Sequence, residues 1–121
     1  MMGPMNELIP TIPDTLPPLI HDAIARFIEK IQTKFPDTIT HIILFGSYAR
    51  GDYHQDSDVD LLVLTKDDSW ELKKNIMDAG FFFYPEIGVM ISAKVMTEEQ
   101  YQKRSSFLFI QEVSREGIAV A

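Results

Sequence analysis

The chain contains no cysteine, which excludes disulfide scaffolds, thiolate zinc sites and cysteine nucleophiles. Its three histidines, His21, His41 and His54, form no pair four residues apart, so a metal would have to rest on oxygen ligands. No apolar run approaches the roughly 18–20 residues needed to cross a bilayer. Residues Met1–Pro13 also lack the basic leader and apolar segment of a secretion signal, so a cytoplasmic protein without membrane attachment is expected. Basic residues are scarce: 11 Lys and Arg against 18 Asp and Glu leave a net charge of −7. That excess repels polyanions and argues against generic nucleic-acid binding. A small anionic substrate delivered with Mg²⁺ stays compatible, because a divalent ion neutralises carboxylates and phosphates together.

What is present fits one folded unit. Apolar residues make up 45% of the chain and charged residues 24%, the balance of a globular domain rather than a disordered one. Pro4, Pro10 and Pro13 predict an irregular arm over 1–15, and a single domain is expected over 16–121. Leu16, Ile20, Ile24, Phe27, Ile31 and Phe35 recur every three or four residues. They predict an amphipathic helix with Asp14 or Thr15 as cap and Pro17–Pro18 in its first turn.

Ile39–Phe45 reads as a buried strand stopped by Gly46, and Asp58–Leu64 as a second strand. Ser69 caps a predicted helix to about Asp78, and Ile87–Met96 has the β-branched content of a third strand. Thr97 and Gln100 make a capping box for a last helix, which carries Phe107, Ile110 and Val113 and stops at Gly117. Trp70 and the aromatic run Phe81–Tyr84 are expected in the core. Helix, strand, strand, helix, strand, helix is the order of an α/β or α+β sheet domain.

One stretch carries chemistry beyond what composition explains, from Leu44 to Val63. Gly46 ends a strand where the missing Cβ lets a ligand approach the backbone, and Ser47 adds a hydroxyl and an N–H suited to an anion. Asp58 and Asp60 stand at i and i+2, on one face of a strand and roughly 7 Å apart along it. Two carboxylates so placed converge on a divalent ion, as phosphoryl chemistry requires. Asp56, Asp58 and Asp60 also mimic the start of a calcium loop, but Leu61 stands where that loop needs glycine. Arg50-Gly51-Asp52 spells an adhesion tripeptide, which is taken as coincidence in a cytoplasmic chain.

Gly46-Ser47 after an apolar strand, with Asp58-Val59-Asp60 starting twelve residues past Gly46, resembles a known signature. It is similar to the glycine-serine and D-x-D motif of the DNA polymerase β-like nucleotidyltransferase superfamily. The fuller string Phe45-Gly46-Ser47-Tyr48-Ala49-Arg50-Gly51 with Ser57-Asp58-Val59-Asp60-Leu61 looks most like the minimal, MntA-like branch. The resemblance implies a short mixed β-sheet flanked by helices, Mg²⁺ held by Asp58 and Asp60, and ATP phosphates met by Gly46 and Ser47. Arg50 is the implied phosphate or pyrophosphate contact. AMP would pass from ATP to a hydroxyl of a protein or small molecule.

Small members of this branch stand beside an all-helical HEPN protein, so a HEPN toxin that the chain modifies or merely covers is the implied partner. Self-association into a homo-oligomer is left open by the sequence. The superfamily also places a third carboxylate on a later strand, where it completes the site and serves as base. Ile87–Met96 contains no Asp; Ser92 and Lys94 hold its polar positions, and Glu86 stands just before it. Two functions follow. Either Glu86 is the third catalytic carboxylate of an adenylyltransferase, or the chain is a nucleotide-binding antitoxin with little or no transfer.

Overall fold

The computed structural model describes residues 10–81 and 83–121. Most of the predicted arm, residues 1–9, lies outside the described residues, and residues 10–15 are neither helix nor strand. The elements in chain order are α1 (Pro18–Lys34), β1 (Ile39–Phe45), α2 (Ser47–Arg50), β2 (Val59–Thr65) and α3 (Trp70–Phe81). They continue with α4 (Phe83–Ile87), β3 (Ile91–Thr97), α5 (Glu98–Lys103), α6 (Leu108–Glu116) and β4 (Ile118–Ala119).

The four strands form one mixed sheet in the order β3-β2-β1-β4. β2 runs antiparallel to β1 and parallel to β3, while β4 is an antiparallel edge on β1. The alternation of the strands sorts their side chains between two layers. Ile42, Leu44, Val59, Leu61 and Val63 face α1, α3 and α4. Phe45, Leu62 and Leu64 face the other way, toward Ile110 and Val113 of α6. Both faces of β2 are thus covered, and its run Leu61-Leu62-Val63 is fully buried.

The apolar stripe of α1 places Ile20, Ala23, Ile24, Phe27 and Ile31 against the sheet. Each fully buried large side chain contributes about 1.5–3 kcal/mol relative to exposure. The helix starts later than its periodicity predicts. Pro17 is its N-cap without any side-chain cap bond, and Pro18 opens the first turn, so neither Asp14 nor Thr15 caps it.

Three further expectations are corrected. The last helix is two helices: the capping box of Thr97 and Gln100 forms, but α5 ends at Lys103 and α6 begins at Leu108. The intervening Arg104-Ser105-Ser106-Phe107 is exposed throughout and has no buried anchor, and its two serines favour caps and turns over helix interiors. The third strand begins at Ile91 rather than Ile87, because Phe83–Ile87 winds into α4 and stops at Gly88, whose φ is +74°. Finally, of the aromatics expected in the core only Phe83 is buried; Trp70 is 71% exposed, and Phe81 and Tyr84 are also exposed. Phe82 lies outside the described residues. Ser69 does cap α3, accepting the Leu72 N–H at 3.3 Å. Among the described residues no helix is long and apolar enough to cross a membrane.

Candidate active site

Antiparallel pairing brings the end of β1 beside the start of β2, with Phe45 opposite Asp60. The motif halves, separated in sequence by a loop, therefore meet in space. Gly46 has φ +78°, a region side chains resist, and a Cβ there would collide with the Asp60 carboxylate. Glycine is required at this position on both counts. The chain then turns into the short α2, which Gly51 closes in the left-handed conformation at φ +90°. Ser47 is the first residue of α2, not its cap, and its hydroxyl has no hydrogen-bond partner among the described residues.

Asp58 is exposed just ahead of β2, while Asp60 is half-buried within it. Burial first, and the neighbouring Asp58 second, push the Asp60 carboxyl above the ordinary aspartate value, with Lys94 and Arg50 pulling it back. Arg50 donates from Nε to Asp52 at 3.1 Å and from Nη1 to Glu116 of α6 at 3.2 Å. Hydrogen bonds to those carboxylates raise its already high pKa further, so it stays charged. A guanidinium has five N–H donors, which leaves donors for an anion.

Gly46, Ser47, Arg50, Asp58 and Asp60 line one open cavity of about 510 Å³. Five of the six residues singled out from the sequence are thus brought together. Glu86 is not among the residues lining that cavity. It sits on α4, against the α1 layer, and its carboxylate lies 3.6 Å from Arg26 Nη1. The strand position beside Asp60 belongs to Ser92, and Lys94 rests its ammonium over the Phe109 ring at 5.6 Å.

The loop between the motif halves has its own order. His54 donates its backbone N–H to Ser57 Oγ at 2.9 Å, and the Asp56 N–H reaches His54 Nδ1 at 3.2 Å. Tyr48 is buried and stacks on Tyr53, ring centroids 4.5 Å apart. Burial, then Tyr53 and Asp58, raise the Tyr48 pKa. His41 of β1 is exposed, and its Nε2 meets Glu98 of α5 at 2.9 Å. That partner is remote in sequence and comes from tertiary packing.

Sequence reasoning missed one site residue, Glu112 of α6, which lines the same cavity. A signal existed. Glu112 and Glu116 are like charges at i and i+4, a pairing that weakens a helix unless something else uses it.

Asp58 and Asp60 are the residues fit to hold a divalent cation. Among the described residues no three acidic or histidine side chains converge closely enough to hold a metal by themselves. Mg²⁺ does not demand that: it is commonly held by one or two carboxylates, with waters and substrate phosphates completing its shell. Two oxygen donors facing a cavity that also holds a free hydroxyl and an arginine match that requirement.

Comparison with known proteins adds to this geometry. A family model described as a nucleotidyltransferase domain matches residues 24–115. Two proteins of Methanocaldococcus jannaschii, both named provisionally as protein adenylyltransferases, are similar in sequence. One is 37% identical over 95 residues, covering 78% of this chain and 91% of that relative. The other is 35% identical over 102 residues, covering 84% and 98%. Among solved structures, a toxin–antitoxin crystallised with AMP-PNP superposes with a TM-score of 0.55 at 22% identity, covering 79% of this chain and 71% of that one. A mutant MntA–HpeT toxin–antitoxin gives a TM-score of 0.55 at 18% identity over the same shares, 79% and 71%. At these identities the likeness is one of fold.

Proposed function

The chain belongs to the nucleotidyltransferase domain family, with its polymerase β-like fold, and from that premise we propose that it transfers AMP from ATP to a hydroxyl on a protein partner. The observation that carries the reading is the packing of Gly46 against the Asp60 carboxylate, with Ser47 and Asp58 on the same cavity. The naming of two relatives as protein adenylyltransferases supports AMP as the transferred group.

In this reading Asp58 and Asp60 hold Mg²⁺, which when bound screens the triphosphate and activates the phosphoryl centre. Ser47 donates its hydroxyl to a phosphate oxygen, and the missing Cβ of Gly46 leaves room for the Asp60 carboxylate beside it. Arg50 meets the pyrophosphate end with donors not used by Asp52 and Glu116. The pair Asp52–Glu116 fixes where the guanidinium points before substrate arrives, so little ordering is left to binding.

A toxin of the HEPN class is the proposed partner. The fold is shared with chains crystallised in toxin–antitoxin assemblies, and Trp70, Met77, Phe81 and Tyr84 leave apolar surface exposed along α3 and α4. A cytoplasmic site of action follows from the use of ATP. The second reading, a nucleotide-binding antitoxin that neutralises its partner without modifying it, is favoured by one observation: β3 offers Ser92 and Lys94, not a carboxylate, beside Asp60. Incubation with α-labelled ATP, Mg²⁺ and a HEPN partner separates them. Label on the partner that is lost with Asp60→Asn supports transfer; neutralisation of the partner without label supports binding alone.

A further inference from the structure

We propose that Glu112 of α6, not an acid of the third strand, is the carboxylate that meets the acceptor hydroxyl; the proposal rests on the transfer reading above. Four acids line the motif cavity: Asp52, Asp58, Asp60 and Glu112. Asp52 is bonded to Arg50 at 3.1 Å, and Asp58 and Asp60 form the cation pair. Glu112 is half-buried, and its side chain has no hydrogen bond or ion pair among the described residues. Of the four acids it is the one outside both the arginine pair and the cation pair; His54, which also lines the cavity, accepts the Asp56 N–H on its Nδ1.

Its position is held from both sides. On one side α2 is tied to α6 by Arg50, whose Nη1 donates to Glu116 at 3.2 Å, one helical turn past Glu112. Three residues before Glu112, Phe109 packs edge-on against Phe45 of β1, ring centroids 5.1 Å apart. Between these anchors Ile110 and Val113 bury against Leu62 and Leu64. Glu112 thus faces the motif from a helix fastened at each end, which is how a reacting group is kept in place. Glu86 has no comparable access, being occupied by Arg26 on the opposite layer.

The acceptor oxygen attacks the α-phosphorus of ATP, forming a new O–P bond. The bond from the α-phosphorus to the bridging oxygen breaks, and pyrophosphate leaves with the electron pair. The hydroxyl proton passes to the Glu112 carboxylate and then to water. A positioned base of this kind is worth about 10²–10⁴ in rate.

The test compares wild type with Glu112→Gln, Glu112→Asp, Glu86→Gln and Asp60→Asn in the full chain. Calorimetry reads Mg²⁺-dependent binding of a non-hydrolysable ATP analogue, and α-labelled ATP reads AMP transfer to a HEPN partner, N-acetyl-tyrosinamide and water. Glu112→Gln is expected to bind the analogue and melt like wild type while transfer falls by about 100-fold or more. Glu112→Asp recovers part of the rate, and Glu86→Gln changes neither. Removing one negative charge from the cavity also strengthens metal-free ATP binding in Glu112→Gln but not in Glu86→Gln. Transfer that persists in Glu112→Gln, or metal-free affinity that does not move, overturns the role of Glu112 alone. Wild type that binds Mg-ATP yet transfers to no acceptor overturns the transfer reading and the base with it.

Discussion

The Asp60 carboxylate fills the space in which a side chain at Gly46 would begin, so the glycine and the acid are fixed by one another. Gly46→Ala is expected to cost about 1–3 kcal/mol of stability through its positive φ and to displace Asp60 as well. Gly51 provides the comparison, since its φ is +90° but nothing stands within 4 Å of its missing Cβ. Urea unfolding should show both alanine variants weakened, while calorimetry shows Mg-ATP binding lost only at Gly46.

Asp60→Asn should raise stability and abolish function together. Burial raises the Asp60 pKa in the folded state, so its ionised form opposes folding. That opposition is absent below the unfolded aspartate pKa of about 3.9 and grows as pH rises through the folded value. Thermal melts should therefore show Asp60→Asn above wild type at neutral pH, with the difference gone in acid. Added Mg-ATP should raise the wild-type melting temperature and leave the variant unmoved.

Ser47→Ala should weaken ATP binding by about 1–3 kcal/mol, the worth of a hydroxyl meeting a charged oxygen. Its hydroxyl has no partner in the fold, so the melting temperature should hardly change. A drop in melting temperature with unchanged affinity would make Ser47 a structural residue only.

Replacing Asp58 and Asp60 together by Asn should make ATP binding indifferent to Mg²⁺. Wild type in EDTA should bind ATP poorly, since two carboxylates facing a triphosphate repel it without a counterion. Equal affinity in wild type, the double variant and EDTA would remove the cation from the site.

The strands and the first helix were legible because burial imposes a period on the chain. Ile20, Ile24, Phe27 and Ile31 repeat at the helical interval, and Val59, Leu61 and Val63 alternate with Asp60 and Leu62. Trp70 and Phe81 misled for a related reason. Apolar character records what a residue would gain by burial, not whether any layer remains to cover it, and α3 leaves both exposed.

By itself, then, the amino-acid sequence determined the motif: a glycine at a strand end, a serine beside it, and two carboxylates spaced to share a strand face. These are local requirements, and local chemistry is written in adjacent residues. Only the tertiary structure decided which distant groups join them. The antiparallel register set Phe45 opposite Asp60, the packing of Ile110 and Val113 on Leu62 and Leu64 set α6 beside the cavity, where Glu116 meets Arg50 across 66 residues of chain, and Arg26 engaged Glu86 elsewhere. Such choices depend on how layers pack on the two faces of a sheet, and residue spacing along the chain carries no record of them.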